Sequence, residues 1–194
     1  MMKIIVYKSG SVPQPIFETA SLLLRDAFEE RRQAGLDFRC GTFSSQDVEN
    51  QLVGGRILIA YDDNERAVGT ICLLEHRKGR YRYDSSANLA VLSKCKRRGV
   101  GQNLFSEVLK VAREEGYDFI TSCTATTADS SVALHLKMGF VIYQKSFATK
   151  PGAYDSYCFI YPLRKFRFMR LWLPRKMIYV LMTSIRRTKQ LFNK

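Results

Sequence analysis

Lys94, Lys96, Arg97 and Arg98 stand directly ahead of Gly99 and Gly101, and an apolar stripe at helical spacing starts at Val100. The first turn of a helix has amide N–H groups without intrahelical partners and carries partial positive charge, so it attracts anions. Glycine removes Cβ atoms where a phosphate must come close to backbone nitrogen. The four cations add charge around that point. Together these residues describe a diphosphate site built mainly from backbone N–H groups. The bland alternative is a basic strand-to-helix turn that merely needs glycine. The cations, the strand-like run of Leu89, Ala90, Val91 and Leu92 before them, and the helix after them favour the anion site.

The elements that must position this loop are readable from hydrophobic period. Residues 3–7 suit a first strand. Ile16, Phe17, Ala20, Leu23, Leu24, Ala27 and Phe28 recur at helical spacing, and Gly35 marks a stop. Ser44 and Asp47 have capping-box spacing at the start of a short helix over 46–53. Residues 56–61 and 67–74 are β-prone runs joined by Asp62, Asp63, Asn64 and Glu65, which is turn chemistry. A turn near Lys78 and Gly79 leads into 80–92. Val100, Leu104, Phe105, Val108, Leu109, Val111 and Ala112 form one stripe of a helix that Gly116 ends. A strand over 117–125, a helix over 129–138 and strands over 139–145 and 155–161 follow. The fold class expected is α+β, a mixed α/β layer arrangement.

The loop and the order of elements resemble the GNAT family of N-acetyltransferases. Residues 96–101 (Lys-Arg-Arg-Gly-Val-Gly) match that family's Gln/Arg-x-x-Gly-x-Gly/Ala pyrophosphate loop, with Lys96 where Gln or Arg is usual. Ser131, Leu134, His135, Gly139 and Phe140 are similar to the family's later motif, in a form closest to the branch with phosphinothricin-type enzymes. Ala128 stands where that branch often has Asn. The resemblance covers residues 1–162 and implies a mostly antiparallel central sheet flanked by helices. It implies acetyl-CoA as co-substrate and no metal. Its cofactor contacts would fall on Ala90, Val91, Leu92, Lys96, Arg97, Arg98, Gly99, Val100, Gly101, Gln102, Ser131, Leu134 and His135. It also implies two catalytic positions. The Leu92 N–H would polarise the thioester carbonyl, and His135, where many members carry Tyr, would protonate or orient the departing thiolate. A packing histidine without a chemical role is the alternative for His135.

The family often supplies a carboxylate base on the strand before the loop, whereas this chain has Ser86 and Asn88 there. Asp84 and Glu75 are nearby and read as solvated strand-end carboxylates, which leaves the base open. Positioning alone supplies much of the rate in such transfers. Arg31, Arg32 and Arg39 are candidates for an acceptor carboxylate, although a solvated helix end explains them as well. Phe28, Phe38, Tyr81, Tyr83 and Tyr154 are further acceptor-side candidates, with Phe28 better explained by the core stripe.

Charge and cysteine usage bound the rest. The formal net charge is +13 over 194 residues, but 163–194 hold ten Lys/Arg and no acid, leaving about +3 on 1–162. The basic balance is thus a property of the tail and not a whole-protein nucleic-acid signal. That tail reads as a basic amphipathic helical extension, separate from a 1–162 domain. Contact with a membrane surface and packing on the domain or on a second subunit explain it equally well, while nucleic acid is disfavoured. Five cysteines without CxxC or zinc spacing suggest reduced thiols, and Cys95 and Cys123 read as buried or incidental. No apolar run approaches a membrane span, and the N-terminus is too short in apolar residues for a signal peptide. A cytoplasmic protein is expected, with peripheral attachment at the inner membrane face as an added option. The function expected is acetyl transfer from acetyl-CoA to a primary amine, directly within a ternary complex. The alternative is an acyl-CoA-binding regulatory or scaffold module that has lost its chemistry.

Overall fold

The computed structural model describes residues 2–36, 38–149 and 153–164. The basic segment expected to form a C-terminal helix lies, from residue 165 onward, outside the described residues. Seven strands form one sheet: β1 (Lys3–Lys8), β2 (Arg56–Tyr61), β3 (Ala67–Lys78), β4 (Tyr81–Val91), β5 (Phe119–Ala125), β6 (Val141–Ser146) and β7 (Ser156–Pro162). Their spatial order is β1-β2-β3-β4-β5-β7-β6. Every neighbouring pair is antiparallel except β4 with β5. That parallel pair is joined through α3 (Val100–Glu114), the crossover helix that a parallel connection requires.

The sheet separates two apolar clusters, and β2 shows how. Ile57 and Ile59 face α1 (Gln14–Gln33) and α2 (Ser45–Gln51), where Phe17, Ala20, Leu24, Val48 and Leu52 close over them. Leu58 and Ala60 face α3, packing with Leu104, Phe105, Val108 and Ala112. A strand covered on both faces has to be apolar throughout, which is why residues 57–60 do not alternate. The capping box at Ser44 and Asp47 is formed, each side chain bonding the other's backbone N–H. Gly116 ends α3 at φ +72° and Gly35 follows α1 at φ +75°, the left-handed geometry that favours glycine after a helix.

Two departures from a regular sheet make the site. β4 pairs β5 only from Tyr83 with Phe119 to Ser86 with Ser122. Beyond those residues the two strands part. At the same place β4 bulges against β3, with Ala87 opposite Cys72 and Ala90 opposite Thr70. Asn88 and Leu89 thus oppose Ile71 alone, and Asn88 takes φ +56°. A bulge bends its strand and increases its twist, which turns the end of β4 away from β5. The Asn88 side-chain amide donates to Gln51 on α2, fixing the bulge to the helix layer.

Candidate active site

The gap between β4 and β5 opens into one cleft of about 1340 Å³. Single-ligand pockets run about 300–1,000 Å³, so this cleft has room for two molecules side by side. At one end lies the loop of residues 96–101 with α3; at the other lie Tyr81, Tyr83 and Phe119.

The loop follows from local backbone geometry. Arg97 takes φ +62° and Gly99 φ +81°, which turns the chain sharply from a 3-10 turn at Ser93–Cys95 into α3. The first bond of α3 runs from the Asn103 N–H to the Gly99 carbonyl at 2.9 Å. The amides of Val100, Gly101 and Gln102 therefore have no partner within the helix. Helix α1 holds the loop from outside. The Asp26 carboxylate accepts the Ser93 N–H at 2.7 Å, and Lys96 Nζ lies 3.3 Å from Glu30. A Cβ on Gly101 would come within 3.1 Å of Leu134 Cδ2, so only glycine leaves this approach to the backbone open. These features fit a diphosphate.

Val91, Lys96, Arg97, Gly99, Val100, Gly101, Gln102, Ser131, Leu134 and His135 line the cleft. Three other expected cofactor residues do not line it: Ala90, Leu92 and Arg98. The Ala90 side chain is buried in the α1-side cluster. The Leu92 side chain packs on the opposite cluster, and its N–H donates to the Val68 carbonyl at 3.0 Å. An amide already in the ladder with β3 is not available to a thioester, which corrects the expectation for Leu92. Successive amides of an extended strand point to opposite edges. With Leu92 turned toward β3, the Val91 N–H faces the gap.

His135 departs from its expected role as well. It is 2% exposed, stacked on Phe159 with ring centroids 4.5 Å apart and edge-on to Phe105 and Phe140. Both ring nitrogens are engaged, Nδ1 at 2.7 Å from the Ser131 carbonyl and Nε2 at 2.8 Å from Ser122 Oγ. A carbonyl only accepts, so Nδ1 carries the proton. The neutral ring then accepts at Nε2 from the Ser122 hydroxyl. Burial pushes the pKa below the usual histidine value, against the opposing pull of the Ser131 carbonyl. A neutral imidazole with its proton committed to backbone is poorly suited to protonate a thiolate.

Of the two carboxylates expected as solvated strand ends, Asp84 is buried and Glu75 is partly exposed but fully paired, and neither lines the cleft. Asp84 is fully buried on the α3 side of the sheet. Neither of its oxygens has a hydrogen-bond partner, and burial raises its pKa to about 7 despite nearby Arg56. Glu75 accepts two hydrogen bonds from Arg82, each 3.0 Å, and one from the Tyr117 hydroxyl at 2.9 Å. The Arg82 bonds hold its pKa down to about 2. Among the described residues the only acidic side chain lining the cleft is Glu30, which pairs with Lys96.

Two separate aromatic groups line the cleft, one at each end of β5. Tyr83 stacks on Phe119 at 4.7 Å and on His76 at 5.2 Å. Phe38 stacks on Tyr154 at 4.2 Å and on Phe28 at 5.4 Å. Phe28, expected in the core, belongs to this wall too. The Arg31 guanidinium lies 5.2 Å from the Phe38 ring centre and 5.7 Å from that of Phe28, so it is held at the wall rather than free in solvent. Arg32 instead pairs with Glu29 at the surface, and Arg39 does not line the cleft. Sequence alone did not point to the Val91 amide, the Asp26 tether or Tyr143, which packs with Phe119 and also lines the cleft.

Solved structures share this architecture. An N-acetyltransferase from Staphylococcus aureus Mu50 superposes with a TM-score of 0.65 at 16% identity, over 84% of this chain and 98% of that one. A GNAT family acetyltransferase from Elizabethkingia anophelis, solved with acetyl-CoA bound, gives 0.58 at 20% identity, over 83% and 97%. A GNAT-family acetyltransferase structure from Desulfovibrio desulfuricans gives 0.64 at 16% identity, over 84% and 100%. No curated protein sequence matches. Among the described residues no helix is long and apolar enough to cross a membrane. Residues 19–140, which span α1 through the end of the second motif, match the family model described as the acetyltransferase (GNAT) family. The chain belongs to the GNAT family and is an acyl-CoA-dependent acetyltransferase with acetyl-CoA as its co-substrate.

Proposed function

We propose that this enzyme moves the acetyl group to a primary amine by direct attack within a ternary complex. The observation that carries the reading is the continuous cleft from the helix-start cradle to the aromatic wall, passing through the gap between β4 and β5. Diphosphate at the amides of residues 100–102 sets the donor's register. Its thioester then lies along the parted end of β4, where the Val91 N–H can donate to the carbonyl oxygen as negative charge develops. His135 is a positioning residue in this reading: its bond to Ser122 and its contacts with Phe105 and Phe159 set the wall between α3, α4 (Asp129–Lys137) and β5.

The acceptor reading follows from the other half. With aromatic rings on both sides and no unpaired acid among the described lining residues, a polycationic acceptor finds no counter-charge. An amine with an apolar or aromatic body and a carboxylate suits Phe28, Phe38 and Tyr154 together with Arg31. Among the described residues no carboxylate faces the gap to take the ammonium proton, so in this reading the amine enters neutral and proximity supplies the rate. Purified enzyme incubated with acetyl-CoA and a panel of amines, with thiol release measured, tests the reading. Turnover should concentrate on aromatic amino-acid-like amines; thiol release that no amine accelerates would sink it. The basic segment 163–194 is proposed as an appendage to a 1–162 catalytic unit, docking on an anionic membrane or on a second copy. A chain ending at 162 should keep its turnover, while vesicle co-sedimentation and sedimentation velocity with and without the segment separate the two partners.

A further inference from the structure

Cys123 on β5 and Cys158 on β7 are directly opposite each other, and their sulfurs lie 3.1 Å apart. The ladder fixes what kind of pair they are. At one end the Thr126 N–H donates to the Asp155 carbonyl at 2.8 Å, and at the other the Leu163 N–H donates to the Asp118 carbonyl at 3.0 Å. Antiparallel pairs alternate between hydrogen-bonded and non-hydrogen-bonded. Cys123 with Cys158 is an odd number of steps from both ends, and no register shift interrupts the pairing. They occupy a non-hydrogen-bonded position, where side chains approach most closely and Cα atoms stand about 4.5 Å apart. That spacing is inside the window of about 4.4–6.8 Å that a disulfide accepts.

The two thiols differ in access. Cys123 is exposed on the wall of the cleft, and Cys158 is buried behind it. The Cys123 S–H donates to Cys158 and lowers the Cys158 pKa to about 7. The pair therefore loses its first proton near neutrality and resists losing its second. Burial drives Cys72 the other way, to about 12, and Cys40 to about 11.

We propose that Cys123 and Cys158 form a redox-active dithiol, a modification site on the cleft wall that a peroxide converts into a cross-strand disulfide. The exposed Cys123 sulfur, as thiolate after passing its proton across the pair, attacks one oxygen of hydrogen peroxide. The O–O bond breaks, the departing hydroxide takes the proton now on Cys158 and leaves as water, and Cys123 becomes a sulfenic acid. The Cys158 thiolate so formed attacks that sulfur, forms the S–S bond and expels hydroxide, which becomes the second water by taking back from solvent the proton the pair released on ionising. Two electrons pass from the two sulfurs to the peroxide. An exposed bridge between neighbouring strands is of the labile, reversible kind. This chemistry stands independently of which acceptor the enzyme uses.

The test is peroxide treatment of the full chain at neutral pH, alkylation of remaining thiols, and peptide mass mapping. The expected result is loss of two thiols, a peptide pair linking Cys123 to Cys158 within one chain, and recovery of both thiols with dithiothreitol. In Cys158→Ser, the Cys123 sulfenic acid should accumulate and be trapped by a dimedone-type reagent. In Cys123→Ser, Cys158 should stay reduced. Three outcomes would overturn the proposal. These are both thiols remaining free in the wild type, Cys123 passing to sulfinic acid while Cys158 stays reduced, or Cys123 crosslinking to a different chain.

Discussion

A Cβ added to Gly101 would stand 3.1 Å from Leu134 Cδ2. The first turn of α3 is thus pressed against α4, and the two sequence motifs meet at one point of the cleft. Gly101→Ala has opposing effects there. Alanine favours the helix by up to ~1 kcal/mol relative to glycine, yet its methyl group narrows the approach to the amides of residues 100–102. The melting temperature should change little while the dissociation constant for acetyl-CoA, measured by calorimetry, rises about tenfold. An unchanged constant would mean that the diphosphate does not sit at this turn.

His135 should prove to be a structural and positioning residue. His135→Ala leaves a cavity against Phe159 and removes the nearer acceptor of the Ser122 hydroxyl, leaving it the Ser86 carbonyl at 3.3 Å, changes that cost roughly 2–4 kcal/mol of stability. The His135 contribution to wild-type stability should also fade as pH falls. The folded-state pKa is depressed, so the contribution is present above the unfolded value near 6.5 and fades as pH drops through and below it. Thermal melts at pH 5 and pH 8 should show this gap closing in His135→Gln. A kcat for the folded variant that collapses by a thousandfold or more, with normal KM, would instead restore a direct chemical role.

Asp84 sits among Arg56 of β2, Glu75 of β3, Arg82 of β4, and Glu115 and Tyr117 beyond α3. Its carboxyl is raised to about 7 from 3.8. The folded chain therefore holds a proton that the unfolded chain has already released. The Asp84 contribution to stability should fall as pH rises from about 4 to about 7 and level off above that. Asp84→Asn removes the charge without changing the shape. It should stabilise the protein at pH 8 by roughly 2–4 kcal/mol and much less at pH 4, as read from urea melts at the two pH values. Equal effects at both would show that the carboxyl is already ionised in the fold.

Arg31→Gln should discriminate between acceptors. The guanidinium is braced by Phe28 and Phe38, so its loss leaves the wall standing and removes the charge. KM for amines bearing a carboxylate should rise about tenfold or more, while KM for their uncharged amide analogues and for acetyl-CoA stays within about twofold. Equal losses for both acceptor types would assign Arg31 to packing alone.

The fold was legible where its signals are local. The Ser44–Asp47 capping box, the α3 stripe from Val100 to Ala112 and the glycine stops at positions 35 and 116 each depend on residues a few positions apart, and all three appear as read. The site was legible in part for the same reason: the loop before α3 is a single stretch of chain. What the sequence did not disclose depends on register between strands. Whether Leu92 or Val91 presents its N–H to the gap depends on a bulge at Asn88 that no turn residue announces. The burial of Asp84 requires knowing that β5 and α3 cover that stretch of β4, and the meeting of Cys123 with Cys158 requires pairing strands 35 residues apart. A one-residue slip would have reversed each of these.

The pH dependence of turnover should belong to the acceptor and not to the enzyme. Asp84 and Glu75 lie on the wrong side of the sheet, Glu30 is tied to Lys96 at the phosphate end, and His135 has both nitrogens engaged. With no free base among the described residues of the cleft, turnover depends on the fraction of amine that arrives unprotonated. Log kcat/KM should then climb with unit slope up to the pKa of whichever amine is used, and the break should move when a less basic amine replaces a more basic one. A general base of the protein would hold the break at one pH for every acceptor. Two good acceptors that differ by about two pKa units are enough to decide, and a break common to both would require a proton acceptor that faces the gap.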